Sequence, residues 1–173
     1  MSINKLPGIF LLFAVIMPVG CGDDDSADMD PDNDMNDDDN GGLSGTVWTG
    51  DLITFTKEDG ADPTQEANQD RITDNVWITR GDEKLIYNAV TQTEANNTGP
   101  DDTEWAEGTT ANVSSLSFSD FRDLGKPPTL VDKDLVLHLI TDDIYIDIKF
   151  TSWAKGKEGG EGGFSYDRST APE

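Results

Sequence analysis

The sequence predicts an all-β chain: an antiparallel β-sandwich or jelly-roll-like single domain, set behind a signal peptide and a disordered acidic tether. Three observations carry this. No apolar stripe of helical period is sustained after residue 42, where Gly, Asn, Asp, Thr and Pro interrupt the chain repeatedly. Short segments rich in β-branched and aromatic residues alternate with these breaks, the pattern of a sandwich. Residues 135–153, LVLHLITDDIYIDIKFTSW, place two strong strand signals back to back. In the second of them Ile144, Ile146, Ile148 and Phe150 alternate with Tyr145, Asp147, Lys149 and Thr151, so one face is apolar and the other polar.

Residues 1–20 read as a signal peptide. One positive charge precedes a largely apolar run ending at Gly20, too short and wrongly flanked for a permanent span. The run PVGC, residues 18–21, resembles the lipobox of bacterial lipoproteins, with Pro18 where leucine is usual. That resemblance implies cleavage before Cys21, lipidation of Cys21 and a place at the bacterial cell envelope, with the outer membrane as the expected one. Cys21 is the sole cysteine, so no internal disulfide can form.

Residues 21–42 form the tether. Ten aspartates fall between Asp23 and Asp39, with no aromatic residue among them. Such a segment cannot bury enough surface to offset its ordering entropy, and its charges hold it extended. Asp28, Asp30, Asp32 and Asp34, followed by Asn36 and Asp39, have the spacing of a calcium loop. Asn33 stands where the turn glycine belongs, and at this density of aspartate such a spacing also arises by chance. The acidic run after the cysteine is similar to surface-export signals of some Bacteroidetes-type lipoproteins, which implies display outside the cell.

The domain spans 43–168, with 169–173 as a tail. Predicted strands are 45–48, 52–57, 75–80, 84–89, 112–118, the two of the 135–153 hairpin, and 163–166. The sequence RGDE at 80–83 reads as the turn of a second hairpin; its RGD triplet is an integrin motif that recurs by chance at strand turns. Residues 58–74 read as a connection with one short helical turn, 91–110 as a polar loop, and Pro127 and Pro128 exclude helix from the return at 121–129.

Two registers are open to the main hairpin. A four-residue loop sets Leu139 against Ile144, gathers Leu135, Leu137 and Leu139 with the isoleucines, and puts His138 opposite Tyr145 on the outer face. A three-residue loop inverts every side chain and buries His138. The first is preferred, because it buries three leucines and leaves the imidazole hydratable.

Candidate chemistry is sparse. His138 is the only histidine, and in the preferred register Asp147 is its diagonal neighbour. No nucleophile elbow or phosphate loop is present. Oxygen donors crowd the first connection, and Asp59, Asp62, Asp70 and Asp74 are candidate Ca²⁺ ligands in residues 43–173, which carry 25 acids against 11 basic residues. The competing reading is a solvated loop whose acids cap turns. Trp105, in a polar stretch, is a candidate for stacking on a sugar or inserting in a partner; alternatively it plugs the end of the sandwich. A net charge of −23 disfavours nucleic acid.

Residues 53–81 and 134–170 resemble a domain of bacterial secreted proteins and lipoproteins to which no activity is attached. The resemblance implies an extracytoplasmic β domain. It draws attention to Asp62, Asn68, Asp70, Arg71, Trp77, Arg80, Trp153, Tyr166 and Arg168 as framework or site residues. The functional expectation is a lipid-anchored envelope protein whose non-enzymatic domain is structural or binds a glycan, a protein or calcium. The alternative is a small envelope hydrolase using His138 with nearby acids.

Overall fold

The computed structural model describes residues 44–156 and 162–173. The signal peptide, Cys21 and the tether aspartates Asp28, Asp30, Asp32 and Asp34 lie outside the described residues. The fold is all-β, with two sheets around one core. The strands are β1 (Thr46–Trp48), β2 (Leu52–Lys57), β3 (Asp70–Arg71), β4 (Trp77–Arg80), β5 (Ile86–Asn88), β6 (Thr103–Glu107), β7 (Leu135–Leu139), β8 (Ile144–Trp153) and β9 (Phe164–Ser169). The large sheet runs β2-β9-β8-β7-β6, and the small one β3-β4-β5. Among the described residues, all pairings between the named strands are antiparallel except one. β1 lies parallel to the first half of β8, opposite β7, and β9 takes over that side along the second half.

The β7–β8 hairpin has the four-residue loop. Leu139 faces Ile144, Leu135 faces Ile148, and His138 faces Tyr145. Leu135, Leu137, Leu139, Ile146 and Ile148 are accordingly buried, and they meet Ile72, Val76, Ile78, Leu85 and Ile86 of the small-sheet region in the shared core. A bulge between Phe150 and Ser152 shifts the alternation of β8 by one residue. Trp153 therefore points inward beside Phe150, their rings 5.6 Å apart.

Four sequence expectations are corrected. Residues 112–118 are not a strand. A kinked 3-10 segment spans Thr110–Ser115, and Val113, Leu116 and Phe118 fold over the outer face of the large sheet, where they cover Val136 and Tyr145. This second apolar layer is why residues 135–140 are almost uniformly apolar: Val136 points outward yet is fully buried. The polar stretch 91–110 contains a strand, β6, paired along its length with β7. Short 3-10 turns form at Phe121–Leu124 and at Pro127–Thr129, where prolines occupy the first helical positions that tolerate them. The last strand runs on from the expected 166 to Ser169, and Arg168 and Ser169 are buried, so Ser169 belongs to the framework and not to the tail.

Two buried networks tie the sheets together. Asp70 on β3 accepts two bonds from Arg168 on β9, at 2.7 and 2.9 Å, and one from the Tyr166 hydroxyl at 2.7 Å. Burial alone lowers the pKa of Arg168, but the hydrogen bond and charge of Asp70 outweigh it and leave the group above its ordinary value. Tyr166 is pushed well up by burial and by the adjacent Asp70 charge. In the second network Arg80 donates to the carbonyls of Lys84, Ala154 and Gly163 and stacks 4.1 Å from the Trp153 ring. Gly162 (φ 77°) presses against the Gly81 carbonyl, where no side chain fits. Asn88 is wholly buried with all its capacity used. Its oxygen accepts from the backbone of Trp77 and Val90, and its amide donates to Asn75 and Asp101.

Candidate functional site

The alternation of β7 puts His138 on the outer face, and the register aligns it with Glu104 of β6 on one side and Tyr145 of β8 on the other. The imidazole lies flat on the Tyr145 ring, with centroids 4.2 Å apart and planes 5° from parallel, and Phe118 meets both rings edge-on. Asp143 closes the hairpin loop in the left-handed region (φ 50°), a conformation that aspartate tolerates better than most residues. From there its Oδ1 lies 3.2 Å from His138 Nε2. Glu104 Oε2 faces the other nitrogen, Nδ1, at 3.7 Å, beyond direct hydrogen-bonding reach.

Ser44 completes the group by donating its hydroxyl to Asp143 Oδ2 at 3.1 Å. The backbone of Thr46 donates to the Asp143 carbonyl, and Gly45 packs so closely on Asp143 and Tyr145 that an added Cβ would sit 2.5 Å from each side chain. The ring is mostly covered, at 14% side-chain exposure, whereas Glu104 and Asp143 are nearly half exposed at 46% and 41%. Tyr145 has its pKa raised by burial first, then by the charges of Asp143 and Glu104. One aromatic-cradled imidazole thus lies between two solvent-reaching carboxylates, with no serine on either ring nitrogen among the described residues.

The other sequence candidates go elsewhere. Asp147 faces Val136, not His138, and accepts bonds from the Thr110 amide and hydroxyl, both 2.7 Å, which fix the start of the 3-10 segment. It lines a cleft of about 440 Å³ with Leu52, Thr109, Lys149 and Asp167. Trp105 is no surface residue. β6 turns its indole into the core, fully buried, with its N–H on Thr103 Oγ1 at 2.9 Å and its ring against Phe121.

The four candidate calcium ligands do not converge. Asp59 accepts the Gly163 amide, Asp62 closes a turn on Thr64 and Gln65, Asp70 holds Arg168, and Asp74 is exposed. The Thr64 hydrogen bonds lower the pKa of Asp62. Among the described residues no group of three or more acidic, histidine or cysteine side chains is arranged to hold a metal ion. The RGD triplet has its arginine buried in the Trp153 network, out of reach of an integrin.

Glu104, Asp143 and Ser44 were not among the sequence candidates. Asp143 lies in the hairpin loop, where an aspartate suits a turn, and Glu104 lies in a stretch that reads as a polar loop. Pairing β6 with β7 in sequence is the one step that would have set Glu104 beside His138. Comparison with known protein families, with curated proteins and with solved structures finds no match to this chain.

Proposed function

We propose that the domain is a small hydrolase held at the bacterial envelope by lipid on Cys21, with His138 as its proton acceptor. The convergence of Glu104, His138 and Asp143 on the outer face supports this reading. In it Asp143 accepts the Nε2 proton and fixes the tautomer, so that Nδ1 carries the lone pair. Nδ1 takes a proton from a water, the water oxygen attacks an ester carbonyl, and the proton passes on to the leaving alkoxide. Glu104, near Nδ1, steadies the imidazolium formed in between. Ser44 stays bound to Asp143 and is not the nucleophile.

The test is turnover of simple aryl and alkyl esters by the purified chain. His138→Gln is expected to lower kcat/KM by about 10²-fold or more, the usual contribution of a positioned base. Equal rates for the two proteins, or no turnover above buffer, would sink the hydrolase.

A second reading has its own observation. An imidazole at 14% exposure, stacked on Tyr145 and bracketed by carboxylates, also suits a non-catalytic clamp on the hairpin loop. The domain then presents a binding or structural surface. His138→Gln would in that case lower the melting temperature while no ester is turned over. Both readings keep the membrane setting, which rests on the PVGC run and the acidic segment behind it. Two or three acyl chains hold a protein firmly, since each buried CH₂ contributes about 0.8 kcal/mol. Cys21→Ser is therefore expected to move the protein from the detergent phase to the aqueous phase and to remove the acyl mass from its N-terminal peptide. Unchanged partitioning would refute the anchor.

A further inference from the structure

Three basic side chains are buried among the described residues: Lys57 at 1% exposure, Arg80 at 2% and Arg168 at 5%. Arg168 has Asp70 against it. The other two have no carboxylate within ion-pair distance among the described residues. Arg80 is at least fully engaged by carbonyls and the Trp153 ring. Lys57 Nζ has only the carbonyl of its neighbour Glu58, at 3.4 Å. An unpaired buried charge is costly, so a chain with acids to spare has reason to keep one where a ligand supplies the counter-charge.

Lys57 borders a cleft of about 310 Å³ at the end of the large sheet, together with Trp153, Ser152, Thr56, Asp59 and Gly163. That volume is at the small end of the usual range for ligand sites, about 300–1,000 Å³. Burial lowers the pKa of Lys57, and the more distant charges of Asp82, Asp59 and Asp62 work against that effect. The cleft also offers the Trp153 indole, two hydroxyls that both donate and accept, and the carboxylates of Glu58 and Asp59. This combination fits a ring carrying several hydroxyls and one negative charge.

We infer that the Lys57–Trp153 cleft binds a sugar acid, with the ligand carboxylate on Lys57 Nζ and its hydroxyls on Thr56, Ser152 and Asp59. The same chemistry is offered by a free hexuronate and by a uronate residue within an envelope polysaccharide. The cleft is formed by the ends of β2, β8 and β9 and is independent of His138, so this inference and the hydrolase stand or fall separately.

The experiment is calorimetric titration of the full chain in detergent with galacturonate, a galacturonate oligomer, methyl galactoside and acetate. Galacturonate is expected to bind at least tenfold more tightly than either the neutral sugar or acetate, and a tighter oligomer would identify the polysaccharide as the source. Lys57→Met is expected to weaken galacturonate binding at least tenfold without lowering the melting temperature, because it removes an unpaired buried charge. His138→Gln should leave the affinity unchanged. Equal binding of the acid and the neutral sugar would overturn the proposal, as would full affinity in Lys57→Met. A several-degree fall in the melting temperature of Lys57→Met, matched by that of Glu158→Gln/Glu161→Gln, would assign the counter-charge to the chain itself and overturn it equally.

Discussion

Asp70→Ala is expected to lower the unfolding free energy by about 3–5 kcal/mol, the usual result of removing one partner from a buried ion pair. The size follows from what is left behind. Arg168 and the Tyr166 hydroxyl both converge on Asp70, and all three groups are buried. Without the carboxylate, a guanidinium stays in the core with only the Ser169 carbonyl at 3.1 Å, and a phenol loses its acceptor. β3 has two residues and is held to β4 by few backbone bonds, so the Asp70 side chain is a main attachment of the small sheet to β9. The double variant Asp70→Leu/Arg168→Met should lose much less than the two single changes together, because an apolar pair leaves no stranded charge. Urea unfolding of the three proteins measures this. An Asp70→Ala loss below about 1 kcal/mol, in the range of exposed pairs, would show that the pair is hydrated in solution.

Trp105→Ala is the second large effect, expected at about 3–5 kcal/mol from the cavity left by a large buried aromatic side chain. The indole is fully enclosed, sits edge-on to Phe121 at 4.9 Å and stacks near Phe150 at 6.3 Å. Trp105→Phe should cost much less, since Thr103 Oγ1 keeps its own bond to the Pro100 carbonyl when the indole N–H is gone. Thermal melts of both variants distinguish this from a surface role. A ligand-contacting tryptophan would lose binding in both variants with little change in stability, whereas a core tryptophan loses stability in proportion to the volume removed.

How much of this was legible in the sequence depends on the kind of signal. The β7–β8 register followed from one physical choice, the burial of three leucines against exposure of one imidazole, and that choice also set His138 on the outer face. β2 could be bounded to the residue because Asp51 and Glu58 flank its run of β-branched and aromatic side chains. Period alone could not reveal β6. Thr103, Glu104 and Glu107 are polar, and what makes the segment a strand is Trp105 inserting in a core built by distant residues. The 110–118 segment failed for a related reason. Its apolar residues were read as pairing in a sheet, when they lie across the face of one. Among the residues marked by resemblance, Asp70, Tyr166 and Arg168 form one buried network and Arg80 and Trp153 the other, so those positions are framework. The site residues Glu104 and Asp143 carried no local signal, because charge is abundant here and only strand pairing brings them to the histidine.

The parallel lie of β1 on β8 has a mechanical consequence. Any load carried by the chain ahead of Ser44 reaches the domain through β1, beside Asp143 and a glycine with no room to shift. β1 is three residues long, and a short strand peeled from a sheet edge would lose its bonds in succession, each bearing the whole force in turn. A pull drawn along β1 instead stresses its bonds to the longest strand together, as a lap joint does. Force arriving there meets the His138 group at once, through Ser44 and Thr46 on Asp143, and is spread into β8, and through β7 and β9 into the sheet, before it reaches the Lys57 cleft.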